Sequence, residues 1–121
     1  MLEVLAPLAM DVIVTGEGRD QVGVLIIPVP GLLAEGRLMA DDGACLGAEV
    51  VADVRRRLAT RAEGARGSAG KVVRALFLSE PPSMAEGEIT AKGNLNFRKV
   101  LERRAGVLDR LYGDDAAVAR I

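Results

Sequence analysis

Gly87-Glu88-Ile89-Thr90-Ala91-Lys92-Gly93-Asn94-Leu95-Asn96-Phe97-Arg98-Lys99-Val100-Leu101 is the stretch whose reading decides the fold. It is a junction between two kinds of periodicity. Before it, residues 71–78 form an apolar run that reads as a strand, and Pro81-Pro82 ends it. After it, Val100, Leu101, Ala105, Leu108 and Leu111 share one face of a long helix expected over residues 95–112. Between the two, Lys92 stands beside Gly93 on a short loop. Most surface lysines are solvated cations and nothing more. Composition sets this one apart: of 16 cationic residues 13 are Arg, leaving only Lys71, Lys92 and Lys99. A Lys ammonium is a compact point charge on a flexible stem, and Arg does not replace it where one charge must reach one oxygen.

Working outward, residues 12–15 and 22–28 are two apolar runs separated by the turn cluster Gly16-Glu17-Gly18-Arg19-Asp20. They read as a hairpin with both strands largely buried. Residues 2–9 read as the tail of a helix limited by Pro7, and a chain that opens inside an element suggests a fragment. Residues 28–47 hold two prolines and four glycines. That composition predicts a long loop or insertion, with a turn of helix around Leu32. Over residues 46–63 the apolar residues Leu46, Val50, Val51, Val54 and Leu58 recur at helical spacing, and Arg55, Arg56, Arg57 and Arg61 spread over the polar side. Beyond Gly113 the tail is expected to fray. The fold class that buries these faces most simply is α+β, a three-stranded sheet with flanking amphipathic helices, in one domain over residues 1–121.

The rest of the composition excludes more than it names. The net charge is −1 and the aromatic residues are Phe77, Phe97 and Tyr112, so neither electrostatics nor base stacking argues for nucleic acid. No apolar run is long enough to span a bilayer, and the N-terminus lacks a basic leader, which gives the expectation of a cytoplasmic protein without membrane partners. Cys45 is the single cysteine, so no intrachain disulfide can form. With no His in the chain, a Cys–His nucleophile and a His/Cys zinc site are both excluded, and no metal is expected. Gly67-Ser68-Ala69-Gly70-Lys71 has the flavour of a phosphate loop but the wrong spacing, and Val72 stands where a magnesium-binding hydroxyl belongs. Glu80, Glu86 and Glu88 crowd one loop without the separation of an acid/base pair. Arg98, Lys99, Arg103, Arg104 and Arg110 make the last helix locally basic, which most simply means a solvated face. Nothing here forms a self-sufficient active site. A lysine on a loop can still complete a site built mostly elsewhere, by stabilising charge that develops on a phosphate or carboxylate.

Three segments resemble the C-terminal end of the adenylate-forming enzymes, the acyl-CoA synthetases, peptide-synthetase adenylation domains and luciferases. They are Asp11 to Gly16 with Arg19 to Pro28, Val73 to Ser83, and above all Gly87 to Arg98. The feruloyl-CoA synthetase-like branch is the nearest in pattern. In the wider family the lysine of Thr-x-x-Gly-Lys falls where Asn94 stands when Thr90 and Gly93 are matched, and in the feruloyl-like branch it falls at Lys92.

The resemblance implies a mobile C-terminal lid of an AMP-forming acid–thiol ligase. A partner N-terminal adenylation domain of the same polypeptide would bind ATP with its magnesium and a small carboxylic acid. The lid would close to make acyl-adenylate and pyrophosphate, then rotate for CoA to take the acyl group, leaving AMP. It implies a catalytic Lys92, with Thr90, Gly93 and Asn94 shaping its loop and Gly16 on the face that meets CoA. The isolated lid would bind no ATP or CoA of its own and would have no useful rate. Two rivals stand beside it: a stand-alone module that holds a small anion, and an interaction module that docks through Arg103 and Arg104.

Overall fold

The run Val22-Gly23-Val24-Leu25-Ile26-Ile27-Pro28 is apolar at nearly every position, which suits a strand covered on both faces. A computed structural model shows that arrangement, and it describes residues 5, 8–15, 22–41, 43–64, 72–113 and 117–120. Strand β1 (Ala9–Val14) pairs antiparallel with β2 (Val22–Pro28). A short helix α1 (Pro30–Ala34) and a small hairpin of β3 (Met39–Asp41) with β4 (Ala44–Leu46) follow. Helix α2 (Ala48–Gly64) then crosses over, so that β5 (Val72–Phe77) returns parallel to β2. Helices α3 (Phe97–Arg103) and α4 (Ala105–Leu111) come next, and β6 (Ala119–Arg120) pairs antiparallel with β5. The sheet order is β1-β2-β5-β6.

Alternation along the strands divides the core in two. Val24 and Ile26 of β2 and Ala75 and Phe77 of β5 face Val50, Val54 and Leu58 of α2. Leu25, Ile27 and Leu76, with the neighbouring Leu78, face Val100 of α3 and Val107 and Leu111 of α4. The hydrophobic stripe of each helix thus covers one side of the same sheet, and β2 and β5 lie in the middle. Gly23 serves this packing, because a Cβ there would sit 3.0 Å from Leu111 Cδ2.

The α+β class stands, and several finer expectations are corrected. Among the described residues the main sheet has four strands, not three. Its fourth is β6, from the tail expected to fray, where Ala117, Val118 and Ala119 are all buried. The segment read as a loop over residues 28–47 contains the expected turn of helix at Leu32 and also the β3–β4 hairpin, which buries Ala44 and Cys45. The single helix expected over residues 95–112 is two helices, separated at Arg104, whose backbone lies at φ −111 and ψ 37. Of the expected N-terminal helical tail, Ala9 belongs to β1 and Leu5 is buried, while most of the remainder lies outside the described residues.

Candidate functional site

Residues 88–96 fold back on themselves. Asn96 N donates to Glu88 O at 2.8 Å, Ile89 and Leu95 form an antiparallel bridge, and Thr90 N donates to Asn94 O at 2.7 Å. The turn closes with Gly93 N donating to Thr90 O at 2.9 Å and Asn94 N to Thr90 Oγ1 at 3.2 Å. Lys92 is on this turn and exposed. Gly93 takes φ +84, a left-handed backbone that glycine adopts without penalty. The three neighbours singled out from the sequence, Thr90, Gly93 and Asn94, are therefore the residues whose bonds close the turn. The Lys92 ammonium has no hydrogen bond or ion pair among the described residues. Gly16 lies outside the described residues, as does the glycine-rich stretch over residues 67–71.

The turn opens directly into α3. Asn96 is the N-cap, and its side-chain oxygen accepts from Lys99 N at 3.2 Å. Its other leg rests on Glu88, which is fully buried. Glu88 Oε1 accepts from Ser83 N at 2.9 Å and from Arg104 Nη2 at 3.0 Å, and Oε2 accepts from Arg104 Nε at 2.8 Å. Arg103 Nη1 adds an ion pair at 3.0 Å. Arg104 spends its remaining donors on the chain leaving the sheet, with Nη1 to Glu80 O at 2.7 Å and Nη2 to Pro81 O at 3.1 Å. The Arg104 guanidinium beside it holds the Glu88 carboxyl below the usual carboxylate range, against burial, which pushes the other way. No buried side-chain polar atom among the described residues lacks a partner.

Sequence reasoning set Glu88 aside with Glu80 and Glu86 and read Arg103 and Arg104 as a solvated face. The structure separates the three carboxylates, because only Glu88 is buried. A signal was present. Arg104 falls four residues after Val100 and three before Val107, on the buried stripe of a continuous helix. A guanidinium there has to find a buried acceptor, and Glu88 is the one supplied. Ala105, expected on the buried face, is exposed. The rest of the basic helix is also largely matched. Arg98 pairs with Glu102 at 3.2 Å, and Arg110 donates to the Asp41 carboxylate at 2.9 Å.

Elsewhere, Thr15 Oγ1 donates to Gly23 O and lies 2.8 Å from Tyr112 Oη, which ties β1 to the end of α4. Arg74 of β5 donates to Leu111 O and Gly113 O and so caps the same helix end. An open cleft of about 720 Å³ is lined by Val14, Phe97, Arg98, Leu101 and Glu102. Cys45 is buried, and burial pushes its thiol up to about 11. Among the described residues no three potential ligands from His, Cys, Asp and Glu gather to hold a metal ion, and no helix is long and apolar enough to cross a membrane. No family model, curated protein or solved structure matches the chain.

Proposed function

We propose that the chain is the mobile C-terminal domain of an AMP-forming acid–thiol ligase, with a feruloyl-type or other aromatic acid as the suggested substrate class. The observation that carries the reading is the placement of Lys92: an exposed ammonium without a partner among the described residues, on a turn closed by its own hydrogen bonds. Such a cation suits the task that the resemblance implies. It can be brought to charge that develops on a phosphate and carboxylate held by another domain, with the turn already ordered before it arrives. In the first half-reaction the carboxylate attacks the α-phosphate of ATP and pyrophosphate leaves. Lys92 would offset the negative charge on both reacting groups. In the second, the CoA thiol takes the acyl group and AMP leaves, and Lys92 would have no part. ATP, CoA and the acid are substrates on this reading, and the adenylation domain is the partner.

Lys92→Ala in the full-length parent is expected to slow pyrophosphate release about 100- to 1000-fold, the usual cost of deleting one charge-stabilising donor. Thioester formation from supplied acyl-adenylate should continue at the parent rate. Equal loss in both half-reactions, or no loss in either, overturns the assignment. A second reading, a stand-alone ligand-binding or interaction module, draws on the cleft beside Phe97, which is 49% exposed. Stoichiometric capture of a small ligand by the isolated chain, lost in Phe97→Ala, would favour it.

A further inference from the structure

The buried ion pair beneath the Lys92 turn is more elaborate than α3 and α4 need for packing. Those helices already bury Val100, Val107 and Leu111 against the sheet. The pair instead joins three segments that the sheet does not hold. Arg104 sits at the kink between α3 and α4, and its fork reaches Glu80 O and Pro81 O where the chain leaves β5, and Glu88 where the turn begins. Glu88 in turn accepts from Ser83 N within the connecting loop. Its backbone is the base rung of the ladder whose closed end carries Lys92, since Asn96 N donates to Glu88 O and Ile89 bridges Leu95. The ladder is closed by its own hydrogen bonds, and Leu95 anchors one leg against the core beneath α3 and α4, while Ala91, Gly93, Asn94 and Asn96 are all exposed. The other leg begins at Glu88, which the fork of Arg104 holds from below.

We propose that Glu88 is a positioning residue for Lys92, and that the fork of Arg104 fixes it so that the Lys92 turn leaves the domain in one direction. A carboxylate is required because four donors converge on it, from Ser83 N, Arg103 and two nitrogens of Arg104. Arginine is required at 104 because a single ammonium cannot bond both Glu88 oxygens and two carbonyls at once. Arg104 stands at the kink itself, and from there its side chain reaches both Glu88 and the carbonyls of the loop. The geometric claim concerns this chain alone, and its catalytic consequence rests on the ligase reading above.

The test takes Glu88→Gln, which keeps the size and removes the charge, and Arg104→Lys, which keeps the charge and removes the fork. Backbone order parameters from nitrogen relaxation are measured on the 121-residue chain. Residues 91–94 are expected to fall from about 0.85, a rigid backbone, to below about 0.6, while Leu25 and Leu76 keep their values. An ordered turn in both variants overturns the proposal. So does a loss of order in the sheet together with the turn, which would make Glu88 a general fold residue. In the full-length parent, Glu88→Gln should lower kcat for adenylate formation about tenfold with little change in KM for ATP, because positioning affects the reacting geometry more than binding. If Lys92→Ala cripples adenylation and Glu88→Gln leaves kcat untouched, the positioning role falls and the ligase reading stands. If Lys92→Ala is silent while Glu88→Gln loosens the turn, the ligase reading falls and the clamp on the turn stands.

Discussion

In β5, Leu76 and Phe77 point to opposite faces of the sheet, and each is enclosed by aliphatic neighbours from a different helix layer. A short way down the chain Glu88 is equally hidden from solvent, and its enclosing groups are a guanidinium fork and a backbone amide. The two regions are ordered by different physics. Apolar burial is non-directional and shared among many neighbours, so it tolerates exchange of one aliphatic residue for another of like volume. The clamp is directional and has few members, so no apolar replacement preserves the direction it sets. A sheet built the first way supplies the stability. A loop built the second way receives a fixed direction without a core of its own.

Three changes would break or sharpen that contrast. The largest effect is expected for Phe77→Ala, which removes the largest fully buried side chain. A loss of about 3–5 kcal/mol is expected in denaturant unfolding. A loss below about 1 kcal/mol would mean that the α2 layer is loosely packed and that the contrast is misdrawn.

A smaller and more local effect is expected on acidification. The folded state holds Glu88 below its ordinary value, so its contribution is complete above about pH 4.5 and is lost as pH falls through the lower folded value. The Ser83 amide, which donates to Glu88, reports this step directly. Its chemical shift should titrate below the ordinary carboxylate range, with the Leu78 amide, bonded to Ile26 O, unmoved over the same interval. Asp53 is also held low, chiefly by Arg56, but its partners are on α2, away from this reporter. Titration of Ser83 at an ordinary carboxylate value would show that the clamp does not favour the charged form.

The smallest effect belongs to Gly93→Ala. A Cβ there meets open space, so the cost is the left-handed backbone alone, about 1 kcal/mol. It should appear as altered amide shifts over residues 90–94 with a fall in the thermal midpoint of only about 4–8 °C. A drop as large as that of Phe77→Ala would make the turn part of the core.

The regions differ as well in how well the sequence announced them. Val22 to Pro28, residues 71–78 and the helix around Val50 and Leu58 were legible because burial writes its period into residue type. The fourth strand was not. Ala119-Arg120 is too short to carry a period, and it is held by β5 and by Arg55 Nε donating to Arg120 O, partners far away in sequence. The β3–β4 hairpin was hidden in the same way, with three residues on each strand and Gly43 at φ 87 between them. At the candidate site, Lys92 and its glycine could be picked out by eye, because the turn is local. Glu88 could not, because a carboxylate shows its burial only when the residue beneath it is known. The break at Arg104 was hidden too, because the apolar spacing continues across it from Val100 to Val107.

Cys45 is the middle residue of β4 in the β3–β4 hairpin, fully buried and with its thiol held protonated at neutral pH. As the chain's one sulfhydryl, it gives every molecule a single thiol that thiol-selective reagents reach only when the hairpin opens. The pace of its modification is thus a clock for opening at that spot. Run beside the order of the Lys92 turn, it would time the breathing of the scaffold separately from the breathing of the loop, in unmutated protein.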